Sequence, residues 1–137
     1  MSAALRMGAR ALVVDDNECA RDVLVVAVEA MGLQVDAAAN GDEALTLIDK
    51  RRGDYALVVT DMDMPGTGGE GLFVACQEHF PQLCERFVFI TGGWYLVADD
   101  TFLTSCGQPC LYKPFDMGQF RETSQAILDR GITSAPA

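Results

Sequence analysis

Along the chain, short apolar runs alternate with stretches whose apolar residues recur at helical spacing. Ala11-Leu12-Val13-Val14 is a continuous apolar run stopped by two aspartates, which predicts a buried strand. Between Glu18 and Met31, Ala20, Val23, Leu24, Ala27, Val28 and Met31 share one helical face. The solvent side of that helix then reads Glu18, Asp22, Val25, Glu29, with Val26 at its flank and Gly32 as the stop. Gln34 to Ala38 is a weaker second strand. Asn40 is placed to cap a helix whose first turn carries Asp42 and Glu43, as the helix dipole prefers, and which runs to about Arg52.

Tyr55 to Thr60 is β-branched and apolar and predicts a third strand. A glycine-rich loop, Pro65 to Gly69, leads to a helix carrying Leu72, Phe73 and Cys76 that must end before Pro81. Phe87 to Ile90 is a fourth strand. A helix is expected between Trp94 and Cys106, its apolar face interrupted by Asp99, Asp100 and Thr101. Cys110 to Tyr112 is a short fifth strand. Asp116 then caps a helix with Met117, Phe120, Ser124, Ile127 and Leu128 inward.

Strands each followed by a helix imply an α/β fold with a parallel sheet covered on both faces. Right-handed crossovers leave few topologies, and the most economical is a flavodoxin-like, doubly wound (βα)5 sheet of order 2-1-3-4-5. A single domain is expected over residues 10–130, with 1–9 an N-terminal extension and 131–137 a C-terminal tail. A chain of 137 residues has room for one such core and not comfortably for two.

The net charge of −10 argues against a DNA-binding surface, which needs clustered Lys and Arg. No apolar run approaches membrane-spanning length, and no signal-peptide core precedes Asp15, so a cytoplasmic protein without membrane partners is expected. The five cysteines lack a Cys-x-x-Cys spacing, which favours reduced thiols over zinc or disulfides.

Placing the polar residues on this scaffold sorts them. Asp15 and Asp16 follow the first strand, Asp61 the third, Thr91 the fourth and Lys113 the fifth. All sit at carboxyl ends of strands, where open parallel sheets bind ligands. Taken singly, the Asp pair reads as a turn with a helix cap, Asp61 as a loop acid and Lys113 as a surface lysine; their joint placement points to function. Three converging carboxylates repel one another and call for a cation, and hard oxygen ligands favour Mg²⁺. Lys113 would pair with a phosphate oxygen as a compact point charge, and Thr91 would offer a hydroxyl donor. That leaves Asp61 as a nucleophile able to form an acyl phosphate.

Asp15-Asp16, Asp61, Thr91 and Lys113-Pro114-Phe115 together resemble the signature of bacterial response-regulator receiver domains, over roughly residues 10 to 130. Met64-Pro65, Gly69 and Gly92 fit the same pattern. The resemblance implies a two-component phosphorelay receiver: Asp61 phosphorylated by a histidine kinase or histidine phosphotransfer domain, and a conformational switch in response. It implies Mg²⁺ (or Mn²⁺) held by Asp15, Asp16, Asp61 and the backbone carbonyl of Asp63, with Thr91 and Lys113 contacting the phosphoryl group and a cis Lys113-Pro114 bond. Such a domain acts on no external substrate, and whether it forms a homodimer stays open. Phe89-Ile90-Thr91-Gly92-Gly93 and the stretch Pro109 to Asp116 resemble receivers at the C-terminal end of hybrid histidine kinases. One position departs from the family: Cys110 stands where a switch Tyr or Phe is usual. Tyr112, Trp94 and Tyr95 are the nearby aromatic residues that could take over that role.

Two alternatives stand beside this reading. A pseudo-receiver would be a binding module that kept the fold and lost the chemistry, against which stands the complete residue set. Val58-Val59-Thr60-Asp61-Met62-Asp63 also resembles the Asp-x-Asp motif of haloacid dehalogenase-type phosphatases. That family, however, opens with its nucleophile strand and places its metal-binding acids after the lysine. His79 reads as a helix-surface residue, and the glycines do not form a P-loop.

Overall fold

The structure, a computed structural model, describes residues 9–64, 66–92, 102 and 105–133. Its strands are β1 (Arg10–Val14), β2 (Gln34–Ala38), β3 (Leu57–Asp61), β4 (Phe87–Thr91) and β5 (Cys110–Tyr112). They form one sheet in the order β2-β1-β3-β4-β5, every neighbouring pair parallel, as expected. The described helices are α1 (Glu18–Glu29), α2 (Gly41–Lys50), α3 (Gly69–His79) and α4 (Met117–Thr133). A 3₁₀ turn, Pro81–Arg86, joins α3 to β4; its proline sits in the first turn, where the missing N–H costs nothing.

The strands read as unbroken apolar runs because both faces are covered. Leu12, Val14, Val58, Phe87 and Phe89 face one core, filled by Ala44 and Ile48 of α2 and by Leu72, Phe73 and Cys76 of α3. Ala11, Val13, Leu57, Val59, Val88 and Ile90 alternate to the other, filled by Leu24 and Val28 of α1 and by Phe120, Ile127 and Leu128 of α4. In the first core, Phe73 meets Phe87 edge-on, with ring centroids 5.2 Å apart, and Phe102 meets both Phe73 and Phe89.

The caps anticipated at Asn40 and Asp116 form, accepting from Glu43 at 2.8 Å and Gln119 at 2.6 Å, and Asn17 caps α1 by accepting from the Ala20 N–H at 2.8 Å. The helical phase of α1 differs from expectation. Val25, assigned to the solvent side, is half-buried against the second core, whereas Val23, assigned inward, is 54% exposed and Val26 64%. The turn that covers a helix face is set by its neighbour, here α4, and an unbroken run of six apolar residues from Val23 to Val28 leaves the phase ambiguous. Met117, also assigned inward, is exposed as well, at the first position of α4. Most of the helix expected between Trp94 and Cys106, including Trp94 and Tyr95, lies outside the described residues.

Candidate functional site

The site forms where the chain leaves β1 in one direction for β2 and β3 sits on the other side, the point at which a doubly wound sheet opens a crevice. Asp15 is the first residue past β1. Its N–H continues the ladder to the Ala38 carbonyl at 3.1 Å, and its carbonyl accepts from the Arg21 guanidinium at 2.8 Å. These contacts leave little freedom to its side chain, which is fully buried. Asp15 Oδ1 accepts from the Asn17 N–H at 2.9 Å, while Oδ2 is buried with no hydrogen-bond partner among the described residues. Asp16, next in sequence, is exposed at the rim.

Asp61 ends β3 and is 3% exposed. Its Oδ1 accepts from the Asp63 N–H at 3.1 Å, and its Oδ2 lies 3.9 Å from Lys113 Nζ. Lys113 is carried to this point by β5, its own N–H donating to the Thr91 carbonyl at 2.8 Å. The carboxylates of Asp15, Asp16 and Asp61 converge so that one oxygen of each lies within 4.8 Å of the others. A glycine is needed behind them: a Cβ on Gly69 would meet the Asp61 carbonyl at 3.0 Å and Met62 Sδ at 2.8 Å.

The electrostatics are strained in a consistent direction. Burial pushes the Asp15 carboxyl above its ordinary range; the Asn17 N–H opposes this, Lys113 helps, and the neighbouring Asp16 charge adds to the rise. Burial likewise raises Asp61, against the Asp63 N–H, with the Asp15 charge adding to it and Lys113 opposing it. Both acids are therefore held in a place that disfavours their charge, and one buried oxygen lacks a donor. A hard cation would supply both needs, and an all-oxygen donor set with one exposed member suits an ion that keeps part of its water, as Mg²⁺ does.

Thr91 ends β4 fully buried, its hydroxyl donating to Asp63 Oδ2 at 3.1 Å; the Gly92 N–H donates to the same oxygen at 3.0 Å. The sequence singled out Asp63 for its carbonyl and as the second acid of an Asp-x-Asp motif, and its carboxylate contact with the end of β4 was missed. An acid two residues past Asp61 was visible, but its partner lies on another strand. Cys110 is half-buried against the first core, and burial pushes its thiol up to about 11. Tyr112, one of the aromatic residues that could take over the switch role, is 45% exposed on the edge strand. His79 is at the surface, as expected.

The sequence model of the response regulator receiver domain matches residues 11–125. Sensor kinase CckA of Brucella abortus is 29% identical over 126 residues, a match that takes in 89% of this chain and 13% of that protein. Among solved structures, a response regulator receiver domain protein of Clostridium thermocellum superposes with a TM-score of 0.81 at 20% identity, covering 93% of this chain and 99% of that one. Response regulator protein TrrA of Thermotoga maritima, solved in complex with Mg²⁺-BeF, gives 0.72 at 26% identity, covering 88% and 99%. The chain spans between 13% and 47% of the length of the curated relatives it matches first. No helix among the described residues is long and apolar enough to cross a membrane.

Proposed function

The chain belongs to the response regulator receiver domain family, and we propose that it retains the family's chemistry in full, with Asp61 as the phosphoacceptor of a two-component phosphorelay. The observation that carries this reading is the convergence of Asp15, Asp16 and Asp61 beside Lys113, with Asp15 Oδ2 buried and unpaired. Asp15, Asp16, Asp61 and the Asp63 carbonyl would hold Mg²⁺, or Mn²⁺ in its place. When bound, the ion neutralises the acids and so admits an anionic donor. The relative solved with Mg²⁺-BeF supports that assignment.

An oxygen of Asp61 attacks the phosphorus of an N-phosphorylated histidine on a partner. The P–O bond forms as the P–N bond breaks, the bonding pair stays on the imidazole nitrogen, which takes up a proton, and Asp61 becomes an acyl phosphate. Lys113 follows the charge from the carboxylate to a phosphoryl oxygen, and Thr91 turns its hydroxyl to another. The domain catalyses the gain and loss of its own phosphoryl group only. Residues 10–130 form the working unit, with α4 running on past it to Thr133. Similarity to a sensor kinase favours a place in a hybrid histidine kinase, and a surface carrying a net charge of −10 is not one that would meet DNA.

The partner's histidine must reach past the rim at Asp16 to the buried Asp61, so its docking surface must lie beside that rim. An open apolar groove of about 660 Å³ runs between α1 and α4, with Val23, Val26 and Met117 exposed along it and Asp22 and Arg121 also in its lining. Both helices begin within a few residues of the site, at Glu18 and Met117, which makes this groove the seat for a helix of the histidine-bearing partner. Val26→Asp is expected to slow transfer from the partner about tenfold or more while leaving labelling by acetyl phosphate unchanged. Acetyl phosphate with Mg²⁺ is expected to add one phosphoryl group to the wild type and none to Asp61→Asn. Label that persists in Asp61→Asn, or forms equally in a chelator, would defeat the reading.

A further inference from the structure

We infer that the side chain of Asp63 is a positioning residue for the switch: it holds the Thr91 hydroxyl and the Gly92 N–H in the resting chain, and a phosphoryl group on Asp61 must take that hydroxyl away from it. The inference rests on the phosphoacceptor reading of Asp61 and adds the element that opposes switching.

Asp63 is joined to both halves of the site. Its backbone N–H donates to Asp61 Oδ1 at 3.1 Å, and its Oδ2 accepts from Thr91 Oγ1 at 3.1 Å and from the Gly92 N–H at 3.0 Å. A threonine hydroxyl carries one proton, so it cannot donate fully to Asp63 and to a phosphoryl oxygen at once. The Thr91 backbone is fixed by the sheet, paired with Tyr112 in register and accepting from the Lys113 N–H. The hydroxyl therefore moves by side-chain rotation, and Asp63 holds both that hydroxyl and the next backbone N–H, that of Gly92. A carboxylate accepting two hydrogen bonds on one oxygen is a charge-assisted contact, stronger than a neutral one. Asp63 itself is exposed and contributes nothing to either core, so its side chain can be removed without loss of packing.

Three proteins test this: wild type, Asp63→Asn and Asp63→Ala. Each keeps the backbone carbonyl. Asp63→Asn loses the charge but keeps an oxygen able to accept from both donors; Asp63→Ala loses both. Titration with beryllofluoride at fixed saturating Mg²⁺ is expected to show Asp63→Ala binding about three- to tenfold tighter than wild type, with Asp63→Asn between and nearer wild type. In ¹H–¹⁵N spectra without beryllofluoride, the Gly92 amide is expected to move upfield in Asp63→Ala and little in Asp63→Asn. Equal tightening in both variants would assign the effect to charge alone and overturn the inference. So would unchanged affinity in Asp63→Ala, or an unmoved Gly92 amide. If wild type itself fails to bind beryllofluoride, the phosphoacceptor reading falls, and this inference with it.

Discussion

Two carboxylate sites on the same sheet are built in opposite ways. On the edge strand β2, Asp36 receives the Tyr55 hydroxyl at 2.7 Å, Arg51 Nε at 2.9 Å and Arg10 Nη1 at 3.2 Å. Burial pulls its carboxyl upward, but the Tyr55 and Arg51 contacts outweigh burial and hold it below its ordinary range. At the carboxyl ends of β1 and β3, Asp15 and Asp61 are raised instead, share their crevice with Asp16, and leave one buried oxygen without a donor. One acid is completed by its own chain; in the cluster of three, Asp15 keeps a buried oxygen that no described residue completes. A fold keeps a deficit of that kind where it binds and reacts, and closes it where it only has to hold together.

Substitutions should separate the two sites by the sign of their effect. The largest change is expected at the completed site. Asp36→Ala strips the buried Tyr55 hydroxyl of its acceptor and should lower stability in urea unfolding by about 2 kcal/mol, little of it from the outer arginine contacts, which solvent screens. A loss no larger than that of an ordinary surface substitution would erase the contrast.

At the open site the sign reverses. With a chelator present, Asp61→Asn should raise stability by about 1 kcal/mol, because it removes one of three mutually repelling charges. Mg²⁺ at ten times its dissociation constant should add about 1.4 kcal/mol to wild type and far less to Asp61→Asn. Equal response to the ion in both proteins would place the metal elsewhere.

The smallest effect is in pH. Because Asp36 is depressed in the folded chain, its contribution is complete above the ordinary value of 3.8 and is lost as the pH falls through the lower folded value. Wild type should therefore lose stability more steeply than Asp36→Asn below about pH 4 and run parallel to it above about pH 5. Parallel curves throughout would show that Asp36 is not held down by its partners.

The sheet was legible in the sequence because strands buried on both faces are unbroken apolar runs, and their order followed from handedness. The placement of the candidate site was legible because Asp15, Asp61, Thr91 and Lys113 each fall at a strand end. What escaped was set by tertiary neighbours. The exposed valines of α1 depend on where α4 packs, not on the α1 repeat. Asp36 looks like a lone acid in a weak strand, since Arg10, Arg51 and Tyr55 come to it from three other segments. Asp63 meets Thr91 across 28 positions of chain, a distance over which no local pattern signals contact.

The central claim is that Asp61 itself carries the phosphoryl group, and trapping tests it most directly. Borohydride reduces an aspartyl phosphate to homoserine and leaves free carboxylates and phosphohistidine untouched. Wild type treated with acetyl phosphate and Mg²⁺, then with borohydride, should yield homoserine at position 61 alone when its peptides are mapped by mass. Homoserine at position 15, 16 or 63, or phosphorylated protein in which position 61 remains aspartate, would contradict the account.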